Sequence, residues 1–170
     1  MNTRSWTRLR LEEKGPICHL VLARPEAANR IDVAMVRELE EACYYLEDDS
    51  PASLVVVRGS GGCFSEGIDL GEFWLDRPPD THGLHRWEKA LRALERVKKA
   101  TLAVLEGTCR GGGVQLALAC DVRLAAESAR LTLDEVKMGF LPGMATWRLP
   151  KFVGPGRARA LLATGRTVSA

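Results

Sequence analysis

The chain has 170 residues, a length at which a single domain is the usual arrangement. Hydrophobic residues make up 46% and charged residues 27%, which excludes a fibrous repeat and disorder along most of the length. The formal net charge is only +2 and basic residues are scattered, so the composition indicates neither a nucleic-acid partner nor a membrane surface. We expect one domain over residues 1–170.

Apolar runs and helical spacings alternate along the chain. Each run is short and rich in Val, Ile or Leu, as expected of a strand covered on both faces. Strand alternating with helix is typical of an α/β domain. In chain order we predict a strand at 17–23, a helix capped by Asp32, a strand at 54–57, an amphipathic helix from Leu84 to Val97, a strand at 102–105, a helix entered at Gly111 to Gly113 and continuing to Ala119, and a strand at 122–125.

The second helix has a charged outer face in addition to its apolar stripe. Glu88 and Arg92, like Glu95 and Lys99, are spaced as i, i+4 ion pairs on that face. The segment before the helix, 75–83, is rich in proline and polar residues and predicts a mobile surface loop.

The five cysteines predict free thiols. Their number is odd and no pair has CxxC spacing, which argues against a disulfide framework or a zinc cluster. The N-terminal residues lack the apolar core of a signal peptide, and no apolar run approaches the ~18 residues of a membrane-spanning helix. We expect a cytoplasmic protein.

Two glycine-containing turns, 58–70 and 105–113, each follow a predicted strand. Glycine allows close approach of the backbone to a ligand, and a helix N-terminus offers free N–H groups. Brought together, two such turns would present two backbone donors to one oxygen, which is an oxyanion hole. The alternative that both are only tight turns stays open. Neither turn matches a phosphate-binding Walker-A loop or a GxGxxG fingerprint.

Four ordered stretches together resemble the enoyl-CoA hydratase/isomerase, or crotonase, superfamily, and they extend over essentially the whole chain. They read LARPEAAN at 22–29, FSEGIDL at 64–70, a glycine-rich turn and helix at 107–121, and LTLDEVKMGFLPGMATWRL at 131–149. The resemblance implies an α/β fold with the ββα spiral core of the ClpP/crotonase type. It also implies an acyl-CoA or acyl-carrier-protein thioester as substrate, with no metal or redox cofactor.

The same resemblance assigns the ligand-binding backbone. The N–H groups of Ile68 and Gly112 would hold the thioester oxygen and stabilise an enolate. Coenzyme A binding falls on Ala27, Ala28, Asn29, Arg30, Glu66, Gly67, Ile68, Asp69, Gly111 and Gly112.

The acid/base positions depart from the hydratase pattern. Hydratases of this family use two glutamates; the second falls on Glu135, but the first falls on Gln115. An amide exchanges no proton at neutral pH, so Gln115 is expected only to orient substrate or water. A single carboxylate suits double-bond isomerisation, in which one base moves a proton between two carbons. Hydration or dehydration stays open.

A further departure follows Gly143, whose N–H resembles the donor that positions the catalytic water. The family often has more glycines there, whereas this chain has Met144, Ala145, Thr146 and Trp147. We expect these bulkier residues to narrow the pocket or exclude that water.

The end of the chain also differs from the family pattern. Family members usually continue past Ala170 into helices that supply oligomer contacts, so we expect a fragment or helices supplied by another chain. A trimer-based homo-oligomer follows from analogy alone. The alternative to an enzyme is a non-catalytic acyl-CoA-binding or partner subunit.

Overall fold

The structure is a computed structural model, and it describes residues 2–73 and 81–170. The strands are β1 (Asn2–Ser5), β2 (Leu9–Lys14), β3 (Ile17–Leu22), β4 (Leu54–Gly59), β5 (Ala100–Leu105), β6 (Thr108–Arg110), β7 (Val122–Ala125), β8 (Arg130–Thr132) and β9 (Val168–Ser169). The helices are α1 (Val33–Asp48), α2 (Leu70–Phe73), α3 (Thr81–Arg96), α4 (Gly112–Leu118), α5 (Ala145–Val153) and α6 (Pro155–Thr164), with 3₁₀ turns at Pro25–Ala27 and Glu135–Met138.

Two sheets organise the fold. The larger has the order β1-β2-β3-β4-β5-β7, and the smaller has the order β6-β8-β9. In the larger sheet, β1, β2 and β3 pair antiparallel, and β3, β4, β5 and β7 pair parallel. The predicted α/β class is confirmed, with the four predicted strands adjacent to one another in this sheet.

Helix α1 begins where the sequence predicts. The Asp32 carboxylate accepts a hydrogen bond from the Met35 N–H at 2.7 Å and so satisfies one of the unpaired donors of the first turn. The apolar face of α1 packs on α3 and β2, and it buries Met35, Leu39 and Leu46 almost completely. This packing fixes the side of the molecule on which α3 lies.

Helix α3 corrects the predicted ion pairs. Glu88 and Glu95 both bind Arg148 of α5, with Arg148 Nη1 3.0 Å from Glu88 Oε2 and Arg148 Nε 2.7 Å from Glu95 Oε1. The predicted pairing of these glutamates with Arg92 and Lys99 is wrong. Arg148 is only 2% exposed, and a buried guanidinium needs anionic partners because it has lost its contact with water. An exposed basic side chain is solvated and has no such need.

Strand β7 lies where predicted but is not covered on both faces. Val122 is 53% exposed and Leu124 is 57% exposed. Alternate strand residues share one face, so the two side chains form one exposed apolar patch. The prediction of a fully buried strand is wrong here, because an apolar run does not show which faces are covered.

The loop predicted at 75–83 falls mainly on residues outside the described range. Its last residues, from Thr81, belong to α3. All five cysteines are free. None of the helices in the described residues is both long enough and apolar enough to cross a membrane.

Candidate active site

A cavity of about 320 Å³ lies between the two glycine turns, α3 and the 3₁₀ turn at Glu135–Met138. Most of the residues proposed from sequence as catalytic or ligand-binding line it. They are Arg30, Glu66, Gly67, Ile68, Asp69, Gly111, Gly112, Gln115, Glu135 and Gly143.

The Ile68 N–H takes no part in the hydrogen bonds that pair its segment with the segment around Ile31. Ile68 forms an isolated parallel bridge with Ile31, and the two bonds of that bridge use the Gly67 carbonyl and the Asp69 N–H. Gly112 is the first residue of α4, where an N–H has no acceptor within the helix. Both donors therefore stay available at the cavity wall.

Glycine is required where the two turns meet. A Cβ at Gly67 would lie 2.6 Å from the Arg110 carbonyl oxygen and 3.1 Å from the Gly112 nitrogen. A Cβ at Gly112 would lie 2.9 Å from Ile68 Cγ1. These contacts are too short for any larger residue, so the glycines allow the Ile68 and Gly112 backbones to approach each other.

Glu135 is a buried carboxyl at the cavity, 5% exposed, and its Oε2 atom has no hydrogen-bond partner among the described residues. Burial raises the pKa of Glu135, and the neighbouring charge of Asp134 raises it further. Contacts with the Gln115 side chain and with Arg110 act in the opposite direction, by stabilising the carboxylate. The unpartnered oxygen and the raised pKa are properties of a group that exchanges protons.

A salt-bridge cluster holds the segment that carries Glu135. Arg110 binds Asp134 with two hydrogen bonds of 2.8 and 2.9 Å, and this interaction lowers the pKa of Asp134. Arg110 Nη1 also lies 3.7 Å from Glu66 Oε2. The cluster links the first glycine turn, β6 and the Glu135 turn at one side of the cavity.

The orientation of the Gln115 amide is set by Trp87. The indole Nε1 donates to Gln115 Oε1 at 3.1 Å, and an indole N–H is a donor only. The amide NH₂ group is therefore the end that meets the Glu135 carboxylate. Gln115 thus favours the charged form of Glu135 and exchanges no proton itself.

The Gly143 segment corrects two expectations. The Gly143 N–H donates to the Leu141 carbonyl at 2.8 Å, so it is not free to position a water. The expected narrowing by Met144 and Trp147 is not seen either, because neither residue lines the cavity. The Trp147 side chain is 53% exposed, with the Lys151 ammonium over its ring.

Three of the residues predicted to bind coenzyme A lie outside the cavity lining: Ala27, Ala28 and Asn29. Asn29 is fully buried, and its side chain binds the Ser60 and Cys63 carbonyls at 2.8 Å each. The Asn29 side chain is therefore committed to holding the first glycine turn. Arg30 is exposed and lines the cavity.

Sequence reasoning missed the contribution of α3 to this site. Leu84, Trp87 and Glu88 all line the cavity, although their spacing indicated only a core stripe and a charged outer face. The one available signal was Glu88 directly after Trp87, at the border between the two faces. That signal does not distinguish a residue of the site from a surface residue.

Comparisons with known proteins agree with one another. The model of the enoyl-CoA hydratase/isomerase family matches residues 12–170. An enoyl-CoA isomerase/hydratase from Mycosarcoma maydis is 34% identical over 165 residues, which is 91% of this chain and 60% of that protein. A crotonyl-CoA hydratase from Syntrophomonas wolfei is 32% identical over 163 residues, which is 94% of this chain and 63% of that protein.

Solved structures show the same similarity. The crystal structure of an enoyl-CoA hydratase from Bacillus anthracis superposes with a TM-score of 0.91 at 31% identity, covering 96% of this chain and 65% of that one. An enoyl-CoA hydratase/carnithine racemase from Magnetospirillum magneticum superposes with a TM-score of 0.92 at 29% identity. The chain therefore spans 56–68% of the length of these relatives and solved structures.

Proposed function

This chain belongs to the enoyl-CoA hydratase/isomerase family, and from that premise we propose that it is an enzyme acting on an acyl thioester through an enolate. The reaction is double-bond isomerisation or hydration/dehydration. The observation that carries the proposal is the position of Glu135: a buried carboxyl with an unpartnered oxygen lines the same cavity as the free N–H groups of Ile68 and Gly112.

The two backbone donors form the oxyanion hole in this proposal. When a proton leaves the α-carbon, negative charge develops on the thioester oxygen, and two fixed N–H groups stabilise it. Removing one such donor typically costs ~2.7–4 kcal/mol of transition-state stabilisation. The close glycine contacts support this role, because they hold both donors without an intervening side chain.

Glu135 is the acid/base. As a carboxylate it takes a proton from the α-carbon of a 3-enoyl thioester and returns it to the γ-carbon, which moves the double bond to the 2-position. Its raised pKa supports this role, since a proton-exchanging group works best when its pKa is near the working pH. Gln115 keeps the carboxylate oriented through its amide.

The carrier of the acyl group is coenzyme A or an acyl-carrier protein. A cavity of about 320 Å³ has room for an acyl chain and the thioester rather than for a whole coenzyme A. The exposed guanidinium of Arg30 borders the cavity, where its positive charge is placed to bind a phosphate of the carrier that lies outside the cavity. Binding measured with a coenzyme A thioester and with the same acyl pantetheine distinguishes a requirement for the nucleotide end.

Self-association is part of the proposal. Strand β7 is the last strand of the main sheet, and its outer edge has no strand partner among the described residues. Val122 and Leu124 expose an apolar patch on that strand. An unpaired edge beside exposed apolar side chains favours association. A homo-oligomer, trimer-based by resemblance, would cover both.

The test is proton exchange in heavy water with a set of 2-enoyl- and 3-enoyl-CoA substrates, followed by mass spectrometry. We expect deuterium uptake or double-bond migration that falls by about 10²- to 10⁴-fold in Glu135→Gln. The matched control is Glu127→Gln, which changes an exposed glutamate outside the cavity. Binding of the thioester without any exchange would favour the non-catalytic subunit instead.

A further inference from the structure

A second carboxylate lies at the cavity, and it comes from α3 rather than from α4. Glu88 lines the cavity, and its side chain is 17% exposed. Its Oε2 atom lies 3.0 Å from Arg148 Nη1, and its Oε1 atom accepts the Met144 N–H at 3.2 Å. Each oxygen of an ionised carboxylate has two lone pairs, so each retains acceptor capacity for a water.

Glu88 lies beside Gln115, the position at which the chain lacks a glutamate. A Cβ built on Gly143 would be 3.4 Å from Glu88 Oε1 and 3.5 Å from Gln115 Oε1. Both oxygens therefore border the space next to Gly143. The amino end of the same Gln115 amide meets Glu135, so Gln115 lies between the two carboxylates.

The charge around Glu88 is suited to a base. Arg148 is the one guanidinium shared by Glu88 and Glu95, so the three side chains carry a net formal charge of −1 when ionised. Glu95 is bound by two hydrogen bonds from Arg148, at 2.7 and 3.2 Å, whereas Glu88 receives one. Arg148 thus fixes the position of the Glu88 carboxylate without neutralising the whole cluster.

We propose that Glu88 is a second catalytic carboxylate that activates water for addition to a 2-enoyl thioester. This inference rests on the proposed enolate chemistry and specifies its outcome as hydration in addition to isomerisation. The position of the base on α3 replaces the carboxylate that Gln115 does not supply. A purely structural role for Glu88, as an anchor for Arg148 and Met144, is the competing explanation that the experiment must separate.

The step balances without a further reactant. Glu88 takes a proton from water while the water oxygen bonds to the β-carbon, and the double-bond electrons move to the thioester oxygen as an enolate. Protonated Glu135 then gives its proton to the α-carbon. The product has gained one water, Glu88 holds a proton and Glu135 has lost one, and exchange with solvent restores both groups. The raised pKa of Glu135 supports its role as the proton donor.

The experiment measures two reactions on the same preparations: hydration of a 2-enoyl-CoA, and Glu135-dependent deuterium exchange or double-bond migration in heavy water. We expect Glu88→Gln to lower the kcat for hydration by about 10²- to 10⁴-fold while exchange changes less than about threefold. Glu127→Gln is the control, because it changes an exposed glutamate outside the cavity and outside the Arg148 cluster, and it is expected to keep both reactions. Glu135→Gln is expected to lose both.

Two further variants keep the test informative if Glu88→Gln is poorly folded. Glu88→Asp preserves the charge next to Arg148 but retracts the carboxylate, so we expect a lower kcat for hydration with unchanged thioester binding. In the double variant with Glu88→Gln and Gln115→Glu, a carboxylate returns to the neighbouring position, and recovery of hydration supports the assignment.

Two results overturn the role of Glu88 and leave the enolate chemistry standing. One is hydration in Glu88→Gln at the wild-type rate. The other is a wild-type protein that moves the double bond but hydrates no 2-enoyl thioester. A wild-type protein that performs neither reaction on any thioester overturns the proposed function itself, and with it this inference.

Discussion

Glu135 shows how one buried side chain affects stability and chemistry together. Its carboxyl has been removed from water, and one oxygen is left without a partner. Burial disfavours the charged form, which raises the pKa above the ordinary value near 4.5. A group of this kind lowers the stability of the fold whenever the pH keeps it ionised, so retaining it at a cavity indicates a role other than stabilisation.

The sign of the pH effect on stability follows from that raised pKa. Below the unfolded-state pKa, near 4.5, Glu135 is protonated in both the folded and the unfolded protein, so no charge is buried on folding. As the pH rises through that value and then through the higher folded-state pKa, the folded state loses stability relative to the unfolded state. Glu135→Gln has no charge to bury.

We therefore expect Glu135→Gln to raise the melting temperature more at pH 7.5 than at pH 4, measured by thermal unfolding followed by circular dichroism. Glu127→Gln, at an exposed site, is expected to show no comparable difference between the two pH values. An equal effect of Glu135→Gln at both pH values would contradict a raised pKa.

Local sequence predicts individual residues of this site unevenly. Glu135, Gln115 and the glycines Gly67, Gly111 and Gly112 are identifiable because they occupy ordered motifs, and all five line the cavity. Glu88 is not identifiable, since a glutamate on a helix reads equally well as one half of a surface ion pair. Its partner Arg148 lies 60 residues away, and only the packed structure brings them together.

At the scale of elements, strands with strong apolar runs are predictable and short polar ones are not. β3, β4, β5 and β7 lie where the apolar runs indicate, within two residues at each end. β1, β6 and β8 have only three or four residues, so they show no usable periodicity. They exist because neighbouring strands supply their hydrogen-bond partners, which is information that is not local in sequence.

Helix α1 also stabilises β2 through a buried charge that the sequence does not reveal. The Glu38 carboxylate accepts hydrogen bonds from the backbone N–H groups of Thr7, Arg8 and Leu9, and from the Thr7 hydroxyl. Glu38 is only 8% exposed, and it lies on the buried side of α1. It therefore attaches the start of β2 to the helix that packs against α3.

We expect Glu38→Ala to lower the free energy of unfolding by more than about 2 kcal/mol, because each buried donor left without an acceptor costs roughly 1–3 kcal/mol. The measurement is urea unfolding followed by fluorescence. Glu41→Ala is the matched control: it lies on the same helix, but its carboxylate accepts one exposed hydrogen bond, from Trp6. A loss for Glu38→Ala no larger than that for Glu41→Ala would contradict the attachment role.

At the scale of the whole molecule, the candidate active site and the exposed apolar patch are built from different secondary-structure elements. The cavity is built where the two glycine turns meet α3 and the 3₁₀ turn, and its residues come from five separate stretches of chain, one of which contributes only Arg30. The exposed apolar side chains of Val122 and Leu124 are on β7, at the end of the main sheet, and do not line the cavity. Substitutions in this patch therefore test association without changing the proposed catalytic groups.

We expect the chain to self-associate through this patch. Fully burying one Val or Leu side chain contributes about 1.5–3 kcal/mol, and each tenfold change in Kd corresponds to about 1.4 kcal/mol. Val122→Thr combined with Leu124→Thr keeps residues that favour strands but removes most of the apolar contact. The double variant should weaken association by at least about tenfold in sedimentation velocity. Proton-exchange activity per folded chain is measured on the same variant, to check that the groups of the cavity are unchanged.

The control for this prediction is Tyr44→Ser, which removes a 55% exposed large side chain from α1 and leaves β7 unchanged. It should leave the association constant unchanged, because general surface hydrophobicity does not select one interface. Equal weakening by Tyr44→Ser would show that association is not specific to the patch. A wild-type protein that is monomeric at all concentrations would contradict association through β7. Val122 and Leu124 would then be exposed to solvent rather than buried in an interface between copies of this chain.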